Sequence, residues 1–212
     1  CLQQDKQTIV CAFADDVSIV ITQQQHLQEI ERITAEYTRA SGAKLNESKT
    51  VGLSLGPNKM EIPHWINTKL QVKILGVMFL SSLRDTIRQN WETVTNNIRQ
   101  VLQGNRYRAL NLLQRVEFVN IYALSKAWYL SQLLPMPQII AQKIRSATGW
   151  FIWQGHILRI SRPQLILPKI RGGLNLIDPG IKANCLYLKK NLQHLTGQGD
   201  KLQRNLSKIM GR

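Results

Sequence analysis

The stretch QTIVCAFADDVSIVIT, Gln7 to Thr22, organises the first part of this 212-residue chain. Two apolar, β-branched runs, Ile9 to Ala14 and Val17 to Ile21, flank Asp15 and Asp16, which is the pattern of a β-hairpin. Aspartate tolerates turn dihedrals, so the pair is expected at the hairpin tip. An isolated Asp-Asp pair is more often a solvated turn. Strands this apolar instead make the tip expected to emerge from a buried sheet. Two carboxylates held side by side repel unless a cation neutralises them. Mg²⁺, with its preference for carboxylate oxygens and substrate phosphates, suits such a pair.

Beyond the hairpin, Thr22 and Gln25 have the spacing of a capping box, and Leu27, Ile30, Ile33, Tyr37 and Ala40 recur at helical spacing up to Gly42. This predicts an amphipathic helix packed on the hairpin. Val51, Leu53 and Leu55 alternate as a half-buried strand closed by Gly56-Pro57-Asn58, and a further β-like segment covers Val72 to Leu80. The period then changes. Trp91, Val94, Ile98 and Val101 mark a helix ended by Gly104, and Leu112, Val116, Val119, Ala123, Leu130 and Leu134 mark a longer one. Beyond Pro135 and Pro137, a third helix carries Ile140, Ile144, Ala147 and Phe151 before Gly155. Three such helices make a small bundle. After His156 come a Pro-containing basic loop, Arg171-Gly172-Gly173-Leu174, and a helical stretch from about Ile181 to Leu195. The fold class expected is α+β, with modules at 1–80, 81–155 and 156–212.

Charge follows the same division. Residues 1 to 80 hold eight basic and eight acidic groups, whereas residues 81 to 212 hold twenty basic and five acidic, so the whole formal charge of +15 lies in the second part. Such an excess points to a polyanionic partner, nucleic acid first and an anionic membrane second. No run approaches the eighteen or so apolar residues of a membrane span, and no signal peptide is read, so no membrane association is expected. Cys1, Cys11 and Cys185 are too few and too widely spaced for a disulfide framework or a zinc site, which fits a reducing, intracellular setting, cytoplasm and nucleus. A first residue other than Met is expected of a sequence that begins inside a longer reading frame.

The segment Ala12-Phe13-Ala14-Asp15-Asp16 resembles motif C of reverse transcriptases, an aromatic, any residue, then Asp-Asp, and the sequence downstream of it resembles the non-LTR (LINE-type) retrotransposon group. Ser41-Gly42-Ala43-Lys44-Leu45-Asn46 with Lys49-Thr50 resembles motif D, and Lys73-Ile74-Leu75-Gly76 the primer grip that ends the palm, with Ile74 where the family more often has an aromatic. Leu110-Asn111-Leu112, Arg115, Asn120, Leu124-Ser125-Lys126 and Trp128-Tyr129 resemble the thumb helix. Gln114 departs there from the glycine commonly seen before the arginine. Phe151-Ile152-Trp153-Gln154-Gly155 and Gly172-Gly173-Leu174 are similar to the post-thumb region. The resemblance runs from about Gln7 to about Tyr187.

This resemblance implies a partial polymerase palm (1–80), an α-helical thumb (81–155) and a connecting region (156–212) of an RNA-directed DNA polymerase. It implies Asp15 and Asp16 as Mg²⁺ ligands in two-metal nucleotidyl transfer, with Lys49, ahead of Lys44, assisting pyrophosphate departure. A solvated lysine is the competing account of Lys49. Leu75 and Gly76 would position the primer end, against the competing account of a plain β-turn glycine. Arg99, Arg106, Arg108, Arg115 and Lys126 would grip the backbone of an RNA template and DNA primer without reading bases. Trp91, Trp128, Trp150 and Trp153 interleave with these cations, but their helical spacing favours core packing over base stacking. The third carboxylate, from motif A, and the fingers have no counterpart in the sequence. The chain is therefore expected to correspond to the C-terminal portion of such an enzyme, to extend no primer alone, and to take the N-terminal half of the polymerase and deoxynucleoside triphosphates as partners in the intact protein. The alternative is a non-catalytic basic nucleic-acid-binding module derived from such an element.

Overall fold

A computed structural model describes residues 8–13, 16–56, 60–157 and 160–195. The chain separates into two compact units that divide between Thr86 and Ile87. The α+β class expected from the sequence is the class observed.

In the first unit, β1 (Ile9–Phe13) and β2 (Asp16–Val20) pair antiparallel, with Ile9 opposite Val20 and Phe13 opposite Asp16. Asp15, expected at the hairpin tip, and Ala14 lie outside the described residues. The buried ribbon expected around the tip is not observed. Val10, Phe13, Val17 and Ile19 are all exposed, because this sheet has two strands and neither has a second neighbour among the described residues.

The next helix, α1 (Gln24–Ser41), stops where Gly42 takes a φ of 71° and its N–H donates to the Thr38 carbonyl at 3.0 Å. Its start differs from expectation. Gln23 is the cap residue and no side chain caps it, so the Thr22/Gln25 box does not form. No residue of α1 is fully buried, and Ile33 and Tyr37 face solvent. Polar contacts tie the helix down: Thr8 Oγ1 lies 2.7 Å from His26 Nδ1, Gln24 donates to the Glu61 carbonyl, and the Trp65 indole donates to Glu31 at 3.0 Å.

The strand expected over residues 51–55 is shorter, only β3 (Val51–Gly52), and it pairs parallel with β4 (Asn67–Thr68). The segment expected from Val72 to Leu80 is a hairpin, β5 (Gln71–Ile74) and β6 (Val77–Leu80). Its two-residue loop, Leu75-Gly76, has φ values of 47° and 85°. Positive φ at both central positions matches the twist of paired strands, which is why short hairpins favour it. Val77 and Phe79 of β6 are buried, and Thr86 Oγ1 accepts the Leu80 N–H at 3.0 Å.

The helix α2 (Leu83–Gly104), which belongs to the second unit from Ile87 onward, buries Trp91, Ile98 and Leu102, and the Trp91 indole donates to the Pro135 carbonyl at 2.9 Å. In place of the one long helix expected over residues 112–134, the chain forms α3 (Leu112–Phe118), a π-helical segment (Val119–Ala123) and α4 (Ser125–Leu133). The widened turn is marked by the Leu124 N–H donating to the Val119 carbonyl, five residues back, at 2.9 Å. Gln114 has a local reason to be where it is: its side chain accepts the Asn111 N–H while Asn111 accepts the Gln114 N–H, a reciprocal capping box. The helix α5 (Gln138–Ile152) buries Ile140, Ile144, Phe151 and Ile152.

The described residues after Gly155 join the same unit. The short α6 (Arg162–Ile166) leads to a 3₁₀ turn (Lys169–Arg171), and α7 (Pro179–Leu195) packs against α4 and α5. The Gly172-Gly173 pair is explained by backbone geometry. Gly172 ends the 3₁₀ turn at a φ of 76°, and a Cβ on Gly173 would overlap the Leu167 carbonyl.

Candidate nucleic-acid interface

Asp15 lies outside the described residues, and Asp16 is an exposed residue at the start of β2. Among the described residues no three His, Cys, Asp or Glu side chains converge on a point where a metal ion could sit. Mg²⁺ requires near-octahedral oxygen ligation, of which Asp16 supplies one carboxylate. Lys44 and Lys49 are exposed. Lys49 occupies a turn that Asn46 organises, accepting from the Ser48 hydroxyl at 2.7 Å and the Lys49 N–H at 3.2 Å. Leu75 and Gly76 are the two loop residues of the β5–β6 hairpin, so the geometry of a tight turn accounts for the glycine there.

The cations of the second unit divide into two kinds. Arg99, Arg106, Arg108 and Lys126 are exposed, and none forms an ion pair among the described residues. Arg115 turns inward instead, its Nη1 donating to the Ile152 carbonyl at 3.1 Å, where it satisfies a C-terminal carbonyl of α5. Lys169 pairs with Glu117 at 2.7 Å on the surface.

Arg106 and Arg108 sit on a loop ordered by local bonds. Asn105 donates from its side chain to the Val101 carbonyl at 2.8 Å, the Arg106 N–H reaches the Gln103 carbonyl, and the Arg108 N–H reaches the Asn105 carbonyl. The Arg106 guanidinium lies 4.4 Å from the Trp150 ring centroid and 5.6 Å from that of Tyr107. Arg108 lies 5.9 Å from the Phe118 centroid, and Phe118 in turn stacks on Phe151 at 5.3 Å and meets Tyr122 at 5.0 Å. The loop thus presents guanidinium groups seated on aromatic rings. Core packing, expected for the tryptophans, holds for Trp91 and Trp153 but not for Trp150, which is 40% exposed. Periodicity could not reveal this, because Trp150 lies beside the Phe151 stripe rather than on it.

A second cluster has no signature in the sequence. Asp178 is 7% exposed and accepts from Arg145 twice, Nε to Oδ2 and Nη2 to Oδ1, both at 2.8 Å. Its Oδ1 also accepts the Gly180 and Ile181 N–H groups, capping α7, and Arg162 Nε lies 3.9 Å from Oδ2. Burial pushes the Asp178 carboxyl upward, but the Arg145 and Ile181 hydrogen bonds and the two guanidinium charges outweigh it and hold the group below 3.8. Burial pushes Arg162 down, against the attraction of Asp178. Asn120 has a comparable structural duty within the π segment: its amide donates to the Asn175 carbonyl and accepts the Ile177 N–H, gripping the extended approach to α7.

No protein-family model matches the chain. It is 29% identical over 161 residues to the Transposon TX1 uncharacterized 149 kDa protein of Xenopus laevis, an alignment covering 72% of this chain and 12% of that protein. The chain therefore spans a small fraction of the relative it matches, and its similarity is to a transposon-encoded protein, in keeping with a general retrotransposon origin.

Proposed function

We propose that this chain is the C-terminal portion of a LINE-type RNA-directed DNA polymerase, and that its helical unit grips the sugar-phosphate backbone of an RNA template and DNA primer. The ordered series of motifs from Ala12 to Leu174 and the similarity to a transposon protein support the ancestry. The gripping role rests on one observation: Arg99, Arg106, Arg108 and Lys126 face solvent without a carboxylate partner among the described residues, while Glu117 and Asp178 are taken by Lys169 and Arg145. Unneutralised surface cations repel one another, and a polyphosphate relieves that repulsion by releasing its own counterions. Asp15, Asp16 and Lys49 belong, on this reading, to the nucleotidyl-transfer site of the intact polymerase, with Mg²⁺ supplied there. Deoxynucleoside triphosphates would be substrates of that larger protein.

Fluorescence anisotropy with a labelled RNA–DNA hybrid, run across a salt series, tests the grip. Affinity is expected to fall steeply with salt, and replacing the four cations by Ala should lower the log–log slope by about 3.6, near 0.9 for each phosphate no longer neutralised. A salt-independent affinity, or a slope untouched by the fourfold replacement, overturns the role. The ancestry is checked separately, by reading the coding frame on the 5′ side for a further Asp-bearing palm motif and fingers; a frame without them overturns it.

A further inference from the structure

We propose that Tyr107, beside an Arg106 guanidinium that is itself seated on Trp150, is a stacking site for an unpaired nucleobase, so that the helical unit takes single-stranded nucleic acid beside the duplex. This rests on the nucleic-acid role proposed above and adds a different chemistry to it, contact with a base face rather than with phosphate.

Tyr107 is 90% exposed, although the same unit buries Trp91 and Trp153. An aromatic ring left in water loses the gain that burial would bring, and here the backbone that carries it is held by local hydrogen bonds. The hydrogen-bonded turns through Gln103, Asn105 and Arg108 fix the backbone on either side, and the Arg106 guanidinium spans the gap from Tyr107 to Trp150. Gly155 completes the support. At a φ of +79° it sits with its missing Cβ 3.4 Å from the Trp150 indole nitrogen and 4.0 Å from Arg106, so the stack lies against bare backbone. The outer surface of this arrangement is an exposed π-face beside a guanidinium, with Arg108 one residue on to meet a phosphate.

Every base has a π-face, so such a platform accepts any sequence. In a duplex those faces are covered by neighbouring base pairs, which leaves an unpaired base or a helix end as the two sources of a free face. The exposure of Tyr107 on a surface loop suits the former.

The test uses the full chain with four labelled probes: oligothymidylate, an abasic oligomer of equal length and charge, a blunt RNA–DNA hybrid, and the same hybrid with a single-stranded overhang. Tyr107→Ala and Tyr107→Phe are compared with the wild-type chain. The wild type is expected to prefer oligothymidylate over the abasic oligomer on the order of ten-fold. Tyr107→Ala should abolish that preference without changing affinity for the blunt hybrid, and Tyr107→Phe should keep it. A preference unaltered in Tyr107→Ala overturns the proposal, as does an equal loss on blunt and overhanging hybrids, which would place the ring on a duplex end. Absence of salt-dependent hybrid binding with the oligothymidylate preference intact would instead sink the backbone-gripping role and leave this site standing.

Discussion

Removing the Asp178 carboxylate should weaken the helical unit more than any surface change. Asp178→Ala deletes the acceptor of two Arg145 hydrogen bonds at 2.8 Å and uncaps the Gly180 and Ile181 N–H groups of α7. Breaking a buried ion pair from one side costs about 3 to 5 kcal/mol, and losing a helix cap costs about 1 kcal/mol more. These do not add fully, and the Arg145 side chain retains 32% exposure, so its stranded charge recovers some hydration. The expected loss is about 3 kcal/mol, a large share of the roughly 5 to 15 kcal/mol that holds a domain together. At about 4 °C per kcal/mol for a unit of this size, Tm should fall by roughly 12 °C. Asp178→Asn keeps an oxygen for the cap and should lose about 2 kcal/mol. Urea unfolding followed by far-UV circular dichroism measures both variants. The pH dependence gives an independent reading. The carboxyl is held below its ordinary value of 3.8 in the folded chain, so its stabilisation is full above that value and disappears as pH falls beneath it. The wild-type chain should therefore lose stability on acidification through that range, and Asp178→Asn should lose less. A loss under about 1 kcal/mol in Asp178→Ala, or matching acid profiles for the two chains, would refute the assignment of a stabilising ion pair.

Gly149 lies inside α5 with open space where a Cβ would be, so Gly149→Ala should raise stability by about 0.5 to 1 kcal/mol in thermal melts. Gly173→Ala should do the opposite, because its Cβ meets the Leu167 carbonyl; a variant melting with the wild type would contradict the packing described. Arg115→Met should cost about 1 kcal/mol through the missing bond to Ile152, yet leave hybrid affinity where it was, which anisotropy and urea unfolding separate.

The features legible in the sequence are mostly those that local physics decides. Gly42 ends α1 at a positive φ and Gly104 is the last residue of α2, where their positions foretell, and the apolar stripes of α2 and α5 lie where their periods put them. The Leu75-Gly76 turn is hidden inside an apolar run, since a leucine at positive φ carries no turn signal. The exposure of β1 and β2 escapes prediction for another reason: hydrophobic strands report what a strand could bury, not whether another strand is there to cover it. Arg106, Arg108 and Lys126 lie on the surface. Arg115 shows that a cation in a charge run can serve a helix end instead. The Asp178 cluster is illegible because its members, Arg145, Arg162 and Asp178, are joined only by folding, and no spacing rule connects residues so far apart in the chain.

The wide turn between α3 and α4 alters which side chains share an azimuth. Arg115 and Lys126, eleven positions apart, would in an uninterrupted helix lie within about 20° of the same direction. One extra residue in the ring, closed by Val119 and Leu124, turns everything beyond it by roughly 100° in the opposite sense, so the two cations diverge by about 80°. One points at the end of α5 and the other at water. Shortening this segment by a single residue would bring both charges back to one side, at the expense of Asn120's hold on the backbone leading to α7.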